Sequence, residues 1–158
     1  MHREEINLIF VGRIGWIENE FIDEFKNHPD YGKRLFHIDG ATNGEVKYLY
    51  EHAFLVAFPT HMEGFGLPIV EALNSGCVVL TSDIDVLREA GEDYCVYFAE
   101  NDEKDFAVKT KELLQSKPTY NKMREKVKSY VPYSWDEAVV RTLSIICSYC
   151  HSKERLSS

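Results

Sequence analysis

Short apolar runs alternate along this chain with stretches whose apolar residues recur at helical spacing. Ile6 to Val11 predicts a first strand, and Phe21, Ile22 and Phe25 predict a helix over Glu18 to Asn27, closed by His28-Pro29. A second strand is expected over Arg34 to Ile38, followed by a helix capped by Asn43 and carrying Val46, Leu49, Tyr50 and Ala53. Phe54 to Phe58 reads as a third, buried strand. The next helix is predicted from Pro68, a residue suited to a first helical turn, to Ser75, where Gly76 supplies a stop signal. Cys77 to Thr81 is the fourth predicted strand, Asp83 caps a short helix to about Glu89, and Cys95 to Phe98 is the fifth strand. Three helices are expected after it, over Asp102 to Gln115, Tyr120 to Tyr130 and Trp135 to His151.

Strands alternating with helices imply parallel pairing through right-handed crossovers. The predicted class is therefore α/β, a single Rossmann-like doubly wound domain with a mostly parallel sheet of about five to six strands flanked by helices. Residues 1–151 are assigned to this domain and 152–158 to a polar tail. In such sheets ligands bind beyond the carboxyl ends of the strands. Two turns leave such ends, Val11-Gly12-Arg13 and the loop Thr60 to Leu67, and both are expected to face one crevice.

The second of these turns carries the chemistry. Glu63-Gly64-Phe65-Gly66-Leu67-Pro68-Ile69-Val70-Glu71 places two carboxylates eight positions apart around a glycine loop that opens a helix. Gly64 and Gly66 let backbone amides approach a ligand, and a helix start adds unpaired N–H groups and a positive dipole end. This suits the phosphates and hydroxyls of a sugar nucleotide. A plainer reading takes Glu71 as a first-turn glutamate favoured by the helix dipole, worth about 0.3–1 kcal/mol, and Arg13 as a solvated turn residue.

Composition narrows the partners. The chain is 44% hydrophobic and 28% charged, as ordinary globular proteins are, and its net charge of −8 without a basic run argues against nucleic acid or an anionic membrane. No apolar stretch approaches the ~20 residues of a membrane span and no signal-peptide pattern opens the chain, so a cytoplasmic location is expected. Cys77, Cys95, Cys147 and Cys150 then read as buried or free thiols rather than a disulfide framework.

Competing motifs are weaker. Asp83-Ile-Asp85 is formally a D-x-D metal motif, but Asp83 reads better as a helix cap. Cys147-Ser-Tyr-Cys150-His151 matches a haem attachment pattern, yet it lies in a terminal helix of a chain without an export signal. His61-Met-Glu63 lacks the cysteine pair that a zinc deaminase needs, which leaves His61 as a loop residue lining the cleft. Gly12-Arg-Ile-Gly15 lacks a dinucleotide fingerprint and no Walker lysine is present. No metal site is expected. Trp135 is assigned to core or interface packing with Ala138, Val139, Leu143 and Ile146, and Trp16 is left open.

The segment Glu63 to Ala72 resembles the Glu-x7-Glu motif of retaining GT-B glycosyltransferases, specifically glycosyltransferase family 4. Val11-Gly12-Arg13 is similar to the turn opening the donor-binding half of those enzymes, Val78 to Ser82 with Leu87-Arg88-Glu89 to their downstream segment, and Tyr133-Ser134-Trp135 to the start of their last helix. The resemblance implies a C-terminal, donor-binding GT-B domain that retains configuration, needs no metal or other cofactor, and takes a UDP-sugar or GDP-sugar. It implies that Glu71 binds ribose hydroxyls, that Glu63 is the catalytic carboxylate beside the donor sugar, and that Arg13, Gly64, Phe65, Gly66 and Leu67 contact the donor. Val-Gly-Arg-x-Gly-Trp also resembles some polysaccharide mannosyltransferases and suggests mannose. One departure stands out: the lysine usual about six residues after the arginine is missing from Ile14 to Glu20.

The resemblance covers only the C-terminal half of such enzymes. An N-terminal acceptor domain is therefore expected in the same or another chain, with any peripheral attachment to a membrane made through it. The surface around Trp16, the Thr60 to Gly66 loop and the last helix is then expected to expose apolar side chains. The alternative is a noncatalytic truncated or split-partner module that binds a nucleotide sugar or another chain.

Overall fold

A computed structural model describes residues 6–15, 19–132 and 134–156. Five strands and seven α-helices alternate among them. The chain divides into two compact units, Met1–Ala53 and Phe54–Ser158.

In the first unit β1 (Leu8–Val11) pairs in parallel with β2 (Leu35–Ile38), Leu8 opposite Leu35 and Val11 opposite Ile38. Between them in sequence runs α1 (Asn19–Asn27), whose Phe25 ring meets Phe10 edge-on at 5.1 Å and Tyr31 at 5.5 Å. The four residues of β1 are nevertheless all exposed. After β2 comes α2 (Asn43–His52), and here the expected cap moves by one residue. Thr42, not Asn43, is the N-cap: its hydroxyl accepts from the Glu45 amide while Glu45 accepts from the Thr42 amide at 2.8 Å. This reciprocal capping box satisfies two otherwise unpaired donors, an advantage Asn43 cannot match without a partner three residues on.

In the second unit β3 (Val56–Phe58), β4 (Val79–Ser82) and β5 (Cys95–Phe98) form a parallel sheet with β4 central. Its four residues are all buried, because α3 (Leu67–Asn74) and α4 (Asp85–Gly91) lie together while α5 (Glu103–Gln115) and α6 (Lys117–Val127) form another packed pair. Val78, Leu80, Phe98 and Leu113 make the core cluster on the α5 and α6 side. Strand alternation turns Val79 and Thr81 the other way. The buried reading of the third strand needs correcting: within the second unit β3 stands at one end of the order β3-β4-β5, with Ala57 exposed and Val56 and Phe58 half-buried.

Further boundaries shift for local reasons. Ser116 caps α6 by accepting from the Thr119 amide, with Pro118 in the first turn, so this helix starts earlier than Tyr120. The expected cap at Asp83 is overturned: Ile84 occupies the N-cap of α4 without a side-chain bond, and Asp83 pairs with Arg88 instead. The helix expected from Asp102 starts one residue later, at Glu103, because Asp102 is its N-cap, accepting from the Lys104 and Asp105 amides. The last helix, α7 (Trp135–Leu156), runs past His151 into the segment assigned as a tail. Ser134 and Glu137 close a second capping box at its start.

Candidate donor site

The glycine loop is built as a strand, a turn and a helix start. β3 ends at Phe58, and α3 begins at Leu67 after Gly66, which is buried and left-handed at φ 83°, ψ 34°. Only glycine adopts that backbone without strain, and a Cβ there would lie 2.8 Å from Cδ2 of Leu87. Gly66 thus serves both the turn and the close approach of α4. Pro68 sits in the first turn, and the Gly66 carbonyl accepts from the amides of Ile69 and Val70 at 3.1 and 3.3 Å. At the other end Gly76 is left-handed, with Cys77 donating to Ala72 and Gly76 to Leu73, a Schellman closure.

These elements fix the predicted residues. Glu63 is half-buried and its Oε1 accepts from the Gly64 amide at 3.0 Å. Glu71 is the fifth residue of α3 and exposed, and the first turn of that helix holds no acidic residue. The plain dipole reading of Glu71 therefore loses its basis, because the favourable field falls off within the first turn. Phe65 and Leu67 are 56% and 58% exposed and flank the glycine start. Glu63, Gly64, Phe65, Gly66, Leu67 and Glu71 are thus brought together by one loop and one helix.

Arg13 belongs to the first unit, two residues beyond β1 and next to Gly12. Gly12 donates to the Ile38 carbonyl at 3.0 Å, and its own carbonyl is 2.7 Å from Nε2 of His37, which ties this turn to the end of β2. Trp16 and Tyr133 lie outside the described residues.

Beside the loop, Arg88 donates to both carboxylate oxygens of Asp83 at 2.6 and 2.7 Å and stacks 3.9 Å from the Tyr97 ring centre. Hydrogen bonding from Arg88 holds the Asp83 carboxyl below the usual carboxylate range. Nothing in the sequence marked this pair. Burial pushes the thiols of Cys77 and Cys95 up to about 11 and about 12, which makes them core residues rather than nucleophiles. Among the described residues no group of three or more His, Cys, Asp or Glu comes together as a metal site, and His61 is an exposed loop residue. Met62 is 79% exposed, and Val139, Leu143 and Ile146 of α7 are each more than half exposed rather than in the core.

The family model for glycosyl transferases group 1 matches residues 1–130. The chain belongs to the group 1 glycosyltransferase family. Similar proteins include the serotype-specific mannosyltransferase WbdA of Escherichia coli, 30% identical over 111 residues, a stretch that covers 70% of this chain and 14% of WbdA. The O-antigen chain mannosyltransferase RfbU of Salmonella typhimurium is 33% identical over 86 residues, 54% of this chain and 24% of RfbU. This group 1 chain therefore spans only a small part of the length of those relatives. In fold it resembles the C-terminal domain of the group 1 protein LpcC from Francisella tularensis, with a TM-score of 0.50 at 21% identity, covering 77% of this chain and 80% of that one. Among the described residues no helix is long and apolar enough to cross a membrane.

Proposed function

We propose that this chain is the donor-binding domain of a retaining, metal-independent glycosyltransferase. It moves a hexose, with mannose favoured by the names of its relatives, from a nucleotide diphosphate sugar to an acceptor. The observation that carries the reading is the placement of Glu71 one turn past a left-handed glycine that opens α3, with Glu63 on the loop before it. Amides near that helix start suit phosphate or sugar oxygens. The Glu71 carboxylate accepts hydrogen bonds from the ribose hydroxyls. Glu63 orients hydroxyls of the donor sugar or stabilises positive charge developing at the anomeric carbon, and Arg13 offsets charge on the departing diphosphate.

The donor is UDP-linked or GDP-linked, and no resident cofactor takes part. The acceptor is held by an N-terminal domain, in the same or another chain, and the exposed apolar side chains of the loop and α7 support a surface that such a domain covers. The name of the O-antigen chain mannosyltransferase RfbU favours a role in polysaccharide synthesis. One observation favours a second reading, a noncatalytic nucleotide-sugar module: no lysine or arginine follows Arg13 between Ile14 and Glu20.

Ligand-observed NMR with UDP, GDP and their sugar conjugates tests the donor site. Binding is expected, and Glu71→Ala is expected to weaken it at least about tenfold, since a charge-assisted hydrogen bond contributes about 1.5–3 kcal/mol. A folded wild-type chain that binds none of these ligands sinks the donor reading, and unchanged binding in Glu71→Ala removes Glu71 from the ribose.

A further inference from the structure

The donor loop begins where the β3–β4 ladder stops, at the pair Phe58 and Thr81. Beyond that pair the two chains part, and side chains from β4 take over from backbone pairing. Thr81, fully buried, donates its hydroxyl to the Phe58 carbonyl at 2.9 Å. Ser82, 2% exposed, accepts from the Thr60 amide at 3.0 Å. The next link lies inside the loop: the Thr60 hydroxyl donates to the Met62 carbonyl at 2.9 Å, and the Met62 amide returns to Thr60 Oγ1 at 3.3 Å. Glu63 follows directly. On its other side the end of β4 is held by β5, with the Asp83 amide donating to the Phe98 carbonyl at 2.8 Å.

We infer that Ser82 is a positioning residue: its hydroxyl fixes the exit of the Thr60 to Gly66 loop and thereby sets the affinity of the domain for the nucleotide diphosphate. This rests on the donor reading above. The physical basis is an asymmetry of rigidity. Ser82 sits on a central strand buried on both faces, whereas the residues it aims are half-buried or exposed. A half-buried amide that loses its acceptor pays for desolvation without return, so Thr60 moves toward water and carries Met62 and Glu63 with it.

The test compares Ser82→Thr with Ser82→Val, which have the same shape and differ in the hydroxyl, so any crowding cancels. Leu113→Val, in the core cluster with α5, serves as a destabilised control away from the loop. Two quantities are read, the hydrogen-exchange protection of the Thr60 amide and the dissociation constants of UDP and GDP by calorimetry. Relative to Ser82→Thr, Ser82→Val is expected to lose about tenfold in protection and about tenfold in affinity. Leu113→Val is expected to melt earlier with its affinity unchanged. Equal Thr60 protection in Ser82→Thr and Ser82→Val overturns the inference, whether or not nucleotide binds. Lost protection with unchanged affinity overturns the link to the donor. A wild-type chain that binds neither nucleotide, yet loses Thr60 protection in Ser82→Val, overturns the donor reading and leaves the loop support standing.

Discussion

Gly66→Ala is the sharpest perturbation of the glycine loop, because two independent costs fall on one methyl group. At φ 83° and ψ 34° the backbone is left-handed, which costs an alanine about 1–2 kcal/mol. The added Cβ would stand 2.8 Å from Leu87 Cδ2 and 3.5 Å from both Ala90 Cβ and Ile69 Cγ1. Leu87 and Ile69 are fully buried, so neither swings aside into solvent, and overpacking of this kind costs about 1–3 kcal/mol more. The sum, about 2–5 kcal/mol, is a large share of a stability of about 5–15 kcal/mol. Urea unfolding followed by circular dichroism measures it, with Gly64→Ala as the control. Gly64 has no positive φ and nothing within 4 Å of its added Cβ, so a change within about 0.5 kcal/mol is expected there. A double-mutant cycle with Leu87→Ala separates the two costs. Removing the leucine tip relieves the clash but not the backbone strain, so the double variant is expected to lose about 1–3 kcal/mol less than the sum of the singles. Strict additivity refutes the clash. A loss in Gly66→Ala no larger than that in Gly64→Ala refutes the whole account.

Two further outcomes test the surroundings of the loop. The Asp83 carboxyl is held below its ordinary range, so its pairing with Arg88 stabilises the fold above the unfolded carboxylate value of about 3.9 and is lost as pH falls through the lower folded value. Acid unfolding of Asp83→Asn is therefore expected to show a shallower loss between about pH 5 and about pH 2 than the wild type, with a small difference at neutral pH because the pair is exposed; identical slopes would count against the pairing. Alkylation followed by mass spectrometry is expected to label exposed Cys147 at neutral pH and to reach Cys77 and Cys95 only in denaturant, because burial raises their thiols to about 11 and about 12. Raised thiols also mean that stability, intact below the unfolded value of about 8.5, falls as pH climbs above it. Native labelling of Cys95 at the rate of Cys147 would refute its burial.

Much of the second unit was legible because its signals are local. Gly66 and Pro68 mark the start of α3 and Gly76 its end through backbone geometry within a few residues, and α5 begins within one residue of the expected Asp102. Two capping boxes were equally local and still went unread, Thr42 with Glu45 and Ser134 with Glu137, since each shows as a Thr or Ser three positions before a glutamate. Asp83 was misassigned for a different reason. Its position before a helix fits a cap, but Arg88 five residues on offers two charge-assisted bonds, which outcompete an amide.

The sequence by itself determined the alternation of strands and helices, the glycine loop with Glu63 and Glu71 around the start of α3, and the family those residues belong to. Tertiary structure decided which strands pair, and it divided them between a two-stranded and a three-stranded sheet with β4 central. It also decided that β3 stands at one end of the second unit's sheet, that apolar side chains of α7 are exposed, and that Ser82 reaches Thr60 across 22 positions in sequence. Periodicity and turn chemistry are written in neighbouring residues, whereas burial and cross-strand hydrogen bonds depend on what stands opposite, which one-dimensional spacing does not carry.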